Sequence, residues 1–143
     1  MPSPRAGLLP RLASLLYEAL ILTAIVLLAG LAWQFAHWML TGRLEASGAA
    51  VWSLRAWIVL ATAAYFCGFW VRGGQTLPMR TWRLRLERRD GGPLDARRAL
   101  ARYALAWPGV LAAGIGFAWA LVDRDRQFLH DRLAGTRIVR LPR

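Results

Sequence analysis

The chain has 143 residues, of which 57% are apolar, and its mean hydropathy is positive, so its length suits one small domain rather than two. Its net charge is +11, and every basic residue is an arginine. A nucleic-acid-binding protein can carry such a charge, but here three apolar segments contain almost no arginine and the connecting segments contain nearly all of it. This distribution argues against a nucleic-acid partner and is typical of a membrane protein.

The first apolar segment follows a Pro-rich lead, residues 1–10, that we expect to be flexible. The segment from about residue 12 to residue 40 contains a single charged side chain, Glu18. A helix of about 20 residues crosses a hydrocarbon core of about 30 Å, so this segment predicts the first transmembrane helix.

Arg11 and Glu18 are seven residues apart, so on a helix they share one face about 10 Å apart along the axis. A carboxylate inside a membrane helix costs about 2.5 kcal/mol or more unless it is paired, protonated or hydrated. Two interpretations stay open. The two residues form a functional pair within the protein, or the first turns of the helix lie among the headgroups and both charges are hydrated.

The second predicted span covers about residues 51–71, because no charge lies between Arg55 and Arg72. The loop before it, residues 41–55, is poor in charge. The loop after it, residues 72–102, holds nine arginines and is therefore predicted to lie in the cytoplasm, against anionic headgroups.

Local patterns predict structure inside this basic loop. Residues 82–87 alternate apolar and polar side chains, which indicates a strand. A turn signal follows at residues 90–93, and Asp95 is placed to cap a helix that begins near Ala96. Residues 136–141 have the composition of a second short strand that would pair with residues 82–87 in the cytoplasm.

The third apolar segment, residues 103–122, is long enough for one crossing, but the tail after it, residues 123–143, holds six arginines against three aspartates. A single crossing would place that basic tail outside. Residues 107–109 (Trp-Pro-Gly), Gly114 and Gly116 indicate breaks in the helix. We therefore favour a broken, re-entrant segment over a plain third span. The predicted fold is an all-α membrane protein with two transmembrane helices, this third segment and a short cytoplasmic two-stranded element.

Several motifs in this pattern resemble the RDD family of small membrane proteins, named for an arginine and two aspartates. Arg11 and Glu18 match the arginine and the first acidic position of the family. The other matches are Gly74-Gln75-Thr76-Leu77 with Arg80 and Leu84, Asp90-Gly91-Gly92-Pro93-Leu94, Arg98-Ala99-Leu100-Ala101-Arg102, and the closing Asp123-Arg124-Asp125-Arg126-Gln127, His130-Asp131 and Ala134-Gly135-Thr136. The resemblance makes residues 11–141 one RDD-like membrane domain.

Two positions depart from the family pattern. Glu18 stands where the family has aspartate, which keeps the charge and adds a methylene, and Pro78-Met79 replaces a Gly-Lys pair, which removes a flexible joint and a cation. The resemblance implies a multi-pass protein of the cell inner (plasma) membrane. It also implies a role in transport, because cation/proton exchange has been proposed for some members of the family.

The candidate functional network is Arg11, Glu18 and Asp131, which would meet at the cytoplasmic mouth of the helices. Secondary candidates are Asp123, His130, Gln75, Thr76, Arg80 and Arg102. We predict no enzyme activity and no cofactor, because the sequence has no phosphate-binding loop and no nucleophile beside a base. Asp123, Asp125, His130 and Asp131 are of residue types that bind metal ions, but the surrounding arginines repel a cation, so no metal site is predicted.

Two functions remain open. One is a small transport module in which Glu18 binds and releases a proton or cation; such a short bundle would need a homo-oligomer or a partner membrane protein to enclose a path. The alternative is a non-transporting scaffold or assembly protein that docks partners through its Arg-rich cytoplasmic face.

Overall fold

The computed structural model describes residues 7–45, 47–111, 118–119, 122 and 128–142. Two long helices are followed by a small mixed unit at one of their ends. The elements, in chain order, are α1 (Leu8–Thr41), α2 (Ala49–Gly73), α3 (Leu77–Thr81), β1 (Leu84–Arg88), α4 (Ala96–Leu111), α5 (Leu129–Leu133) and β2 (Thr136–Arg140).

Helix α1 begins at Leu8, earlier than predicted, so residues 8–10 of the expected flexible lead are helical. Pro10 is accommodated because N–H groups in the first turn have no partner within the helix. At its other end, Gly42 adopts a left-handed conformation and its N–H donates to the carbonyl of Trp38. The helix has 34 residues and is therefore about 50 Å long, well beyond the thickness of a hydrocarbon core.

Helix α2 lies against α1, and the indole Nε1 of Trp57 donates to the carbonyl of Ala29 at 3.0 Å. The helix extends two residues beyond the predicted span at each end. Within the described residues, two helices are long and apolar enough to cross a membrane, which agrees with the two predicted spans.

The predicted two-stranded sheet is confirmed. Strands β1 and β2 are antiparallel, and Leu86 lies opposite Ile138. Leu84 and Leu86 are buried while Arg85 between them is exposed, as the alternation predicted. The apolar side of the sheet joins a core that also contains Trp70, Met79, Leu94, Ala99 and Phe128.

Gly74 connects α2 to this sheet. Its φ is +68°, in the left-handed region, and its carbonyl accepts a hydrogen bond from the N–H of Leu86 at 2.6 Å. A Cβ at this position would collide with the carbonyl oxygen of Leu86. Glycine is therefore required here both for its conformation and for the close approach of the backbone.

Helix α4 begins at Ala96, as predicted, and the carboxylate of Asp95 accepts a hydrogen bond from the N–H of Arg98 at 2.7 Å. It continues through Pro108 to Leu111, so the predicted break does not begin at residues 107–109. A proline removes one hydrogen bond, which weakens or bends a helix without always ending it. Gly114, Gly116 and the predicted re-entrant turn lie outside the described residues.

Candidate functional site

The burial pattern of α1 is opposite to that of a water-soluble helix. Its three buried side chains are Arg11, Ser14 and Glu18, whereas large apolar side chains such as Leu16, Leu20 and Leu27 are more than half exposed. The buried residues follow the spacing i, i+3, i+7 and so form one polar face. Protein therefore covers Arg11 and Glu18, and neither side chain lies on the exposed apolar surface of the helix.

Glu18 accepts hydrogen bonds from two hydroxyl groups. Tyr65 of α2 donates to Oε1 at 2.8 Å, and Thr76, between α2 and α3, donates to Oε2 at 2.6 Å. In the described part of the chain, neither Arg11 nor Arg102 forms an ion pair with Glu18. Both carboxylate oxygens therefore have neutral partners.

The turn after α2 fixes the position of Thr76. Gly74 reverses the chain, and the side-chain amide of Gln75 donates to the carbonyl of Leu84 at 2.7 Å. These contacts hold the turn against the start of β1, and Thr76 is 1% exposed. The Gly-Gln-Thr sequence thus places a hydroxyl group against a carboxylate that lies 58 residues earlier in the chain.

Arg11 connects the start of α1 to the carboxyl-terminal strand. Its Nη2 donates to the carbonyl of Ile138 at 2.9 Å, and its side chain is among the largest that are fully buried. Hydrogen bonds to charged groups are stronger than neutral ones, and a buried guanidinium needs such acceptors. The contact brings the first helix and the last strand to the same end of the molecule.

Arg102 and Asp131 form a second buried group. The Nε of Arg102 donates to Oδ1 of Asp131 at 2.6 Å, and the guanidinium lies over the ring of Trp70, 4.2 Å from its centroid. Asp131 is completely buried, and its backbone carbonyl accepts a hydrogen bond from the hydroxyl of Thr136 at 3.2 Å. Removing either partner of such a pair leaves a buried charge without compensation.

His130 lies beside this ion pair. Burial, and to a smaller extent the positive charge of Arg102, lower the pKa of His130 to about 4, although Asp131 acts in the opposite direction. The imidazole stacks on Phe128, with ring centroids 5.6 Å apart. His130 is therefore neutral at neutral pH.

A cleft of about 530 Å³ lies among α1, α2 and α4. Among the described residues, Arg11, Glu18, Arg102 and His130 line it together with apolar side chains such as Leu22 and Phe66. Helix α4 is held to α2 at this cleft by Tyr103, whose hydroxyl lies 2.7 Å from that of Thr62. The cleft therefore combines an apolar wall with a small number of buried charges.

Two other predicted residues, Arg80 and Asp123, are not among the described residues that line the cleft. Arg80 is exposed, with its guanidinium 5.9 Å from the ring centroid of Phe69, and Asp123 lies outside the described residues. Within those residues, no group of three or more His, Cys, Asp or Glu side chains is placed to hold a metal ion.

Sequence reasoning missed Tyr65 and Trp70. Both lie inside the apolar run of α2, where aromatic side chains occupy several faces of the helix. The hydroxyl group of Tyr65 is the only signal that could have singled it out, because such a group needs a hydrogen-bond partner when it is buried in a span.

A buried polar face on a helix whose apolar side chains are exposed, next to a second long apolar helix, defines a small helical membrane protein. Comparison with known proteins agrees, because the sequence model of the RDD family matches residues 5–135. The chain belongs to the RDD family. No curated protein and no solved structure matches it.

Proposed function

We propose that this protein is a multi-pass plasma-membrane transport module that exchanges a cation for a proton at Glu18. The observation that carries the proposal is the pairing of Glu18, which lies on the cleft, with two neutral hydroxyl groups. A guanidinium partner would hold the carboxylate in its charged form. Hydroxyl groups can rotate to donate or accept, so they can serve both a carboxylate and a carboxylic acid.

The oxygen atoms of Glu18, Tyr65 and Thr76 supply the type of ligand that hard cations prefer. A bound cation and a bound proton would then compete for the same carboxylate, which is the requirement for exchange. The family resemblance supports the same type of transport. A bundle this small cannot enclose a path alone, so the proposal includes a homo-oligomer or a partner membrane protein.

The proposed topology places the amino terminus, residues 72–102 and the carboxyl terminus in the cytoplasm. Contacts at one end of the molecule support it: Arg11 binds Ile138, and Arg102 pairs with Asp131. A full crossing between residues 102 and 131 would separate them by about 30 Å. Their contact therefore supports a third segment that enters and returns on one side, and the arginines favour the cytoplasm for that side.

Proton flux in proteoliposomes tests the transport proposal. We expect cation-driven proton flux for the wild type and background flux for Glu18→Gln, which keeps the shape but cannot ionise. Glu45→Gln is the matched control, because Glu45 is exposed beyond the far end of α1. Tyr65→Phe and Thr76→Val each remove one hydrogen bond to a charged group and should slow exchange roughly tenfold.

The alternative is a scaffold that docks partners through its arginine-rich end. Exposed arginines in the loop favour it, among them Arg83, Arg85, Arg89 and Arg97. Background flux in both the wild type and Glu18→Gln would contradict transport and favour the scaffold. Equal flux above background in both would show that transport does not use Glu18.

A further inference from the structure

A second pocket, of about 450 Å³, lies where the basic loop meets the carboxyl-terminal strand. Among the described residues it is lined by Thr81, Trp82, Arg83, Arg140 and Leu141, and it shares none of them with the cleft around Glu18. The N–H of Leu141 donates to the carbonyl of Arg83 at 2.8 Å, which continues the sheet by one bond. This bond holds Arg83 and Arg140 at the same end of the sheet. We call the pocket that these residues line the arginine pocket.

The two arginines of this pocket have no acidic partner in the described part of the chain. The four carboxylates that the structure describes after α2 each pair with another arginine. Glu87 pairs with Arg137, Asp90 with Arg88, Asp95 with Arg98 and Asp131 with Arg102. Two exposed guanidinium groups thus share one pocket without compensation, and a bound anion would relieve their repulsion.

The backbone of Arg83 carries strain. Its φ is +54°, and within the described ranges it is the one residue other than glycine with a positive φ. Glycine adopts this conformation at no steric cost, whereas a residue with a Cβ pays about 1 kcal/mol or more. An arginine at a position that favours glycine points to a use for its side chain.

The arginine pocket borders the apolar surface of α1. The indole ring of Trp82 contacts the ring of Tyr17 edge to face, with centroids 6.4 Å apart. Leu16 and Leu20, next to Tyr17 on α1, are 66% and 65% exposed. Tryptophan and tyrosine are enriched where hydrocarbon meets headgroups, so we expect the pocket to lie at the depth of lipid phosphates.

We infer that the arginine pocket is a binding site for the headgroup of an anionic phospholipid. Arg83 and Arg140 contact the phosphate, because guanidinium groups match the geometry of phosphate oxygens. The acyl chains lie along α1 beside Tyr17. The site is separate from Glu18 and does not depend on the proposed transport function.

Native mass spectrometry of the detergent-solubilised protein, titrated with phosphatidylglycerol, tests this site. We expect one saturable lipid on the wild type and at least a fivefold loss of affinity in Arg83→Gly and in Arg140→Ala. Arg85→Ala and Arg97→Ala are the matched controls, because both arginines are exposed outside the pocket, and we expect less than a twofold change. Arg83→Gly removes the strain, so its melting temperature should equal or exceed that of the wild type.

Three outcomes would overturn the inference. Equal losses in the pocket variants and the controls would mean diffuse attraction between a basic surface and anionic lipid. Phosphatidylcholine binding as tightly as phosphatidylglycerol would remove the role of net charge. Inorganic phosphate displacing phosphatidylglycerol at equal concentration would identify a site for free phosphate instead of lipid.

Discussion

His130 couples the stability of the protein to pH. Its pKa is about 4 in the folded protein, below the ordinary value of 6.5, because burial and Arg102 disfavour the charged imidazole. The unfolded chain therefore binds more protons between these two pH values. The contribution of His130 to stability is complete above about pH 6.5 and is lost as pH falls toward 4.

We predict that His130→Gln is less sensitive to acid than the wild type. Between pH 7 and pH 5, the wild type should lose on the order of 2 kcal/mol of unfolding free energy through this residue, and the variant should not. Thermal unfolding in detergent at several pH values measures the difference. His37→Gln, near the far end of α1, is the matched histidine variant for comparison. A variant profile parallel to that of the wild type would refute the prediction.

The Arg102–Asp131 pair should show strong energetic coupling. Asp131→Asn leaves Arg102 buried without a counter-charge, so we expect the unfolding free energy to fall by about 3 kcal/mol. The double variant Arg102→Gln/Asp131→Asn should lose clearly less than the sum of the losses in the two single variants. The exposed Arg88–Asp90 pair is the comparison and should couple by less than about 1 kcal/mol. Losses that simply add at residues 102 and 131 would contradict this.

The same comparison of single and double variants applies to the predicted network of Arg11, Glu18 and Asp131. The structure gives these residues different direct partners: Ile138 for Arg11, Tyr65 and Thr76 for Glu18, and Arg102 for Asp131. Helical spacing was enough to place Arg11 and Glu18 on one face. It could not show those partners, because each lies at least 29 residues away in the chain.

At the level of elements, strands β1 and β2 were predictable because alternation of apolar and charged residues shows which side of a strand is buried. The continuation of α4 through Pro108 was not predictable. Sequence alone does not show whether tertiary contacts stabilise a helix beyond the hydrogen bond that a proline removes. Tyr103, one turn before Trp107, supplies such a contact through its hydroxyl group and Thr62.

Two glycines allow a controlled test of the turn between α2 and β1. Gly42 and Gly74 both end long helices, with φ of +69° and +68°, but a Cβ on Gly42 would meet nothing within 4 Å. We expect Gly42→Ala to cost about 1 kcal/mol of strain, and Gly74→Ala to cost roughly 2 kcal/mol more because of the collision with Leu86. Chemical denaturation in detergent compares them. Equal costs would show that the turn relaxes freely.

At the scale of the whole molecule, cysteine labelling on a Cys67→Ser background tests the proposed topology. Ser47, Arg89 and Pro142 are exposed and can be replaced by cysteine one at a time. We expect a membrane-impermeant maleimide to label position 47 from outside intact cells, and to label positions 89 and 142 only after the membrane is opened. Labelling of position 142 from outside would favour a plain third span.

The bond between Arg11 and Ile138 joins residues that are 127 positions apart. During synthesis, α1 leaves the ribosome long before β2, so this hydrogen bond forms only after the strand has emerged. Until then β1 also has a free edge, because β2 is its partner in the sheet. The small sheet can therefore form only after nearly all of the chain has been made. A chain that stops before β2 leaves the edge of β1 that faces this strand unpaired, and an unpaired strand edge is a template for pairing with another chain.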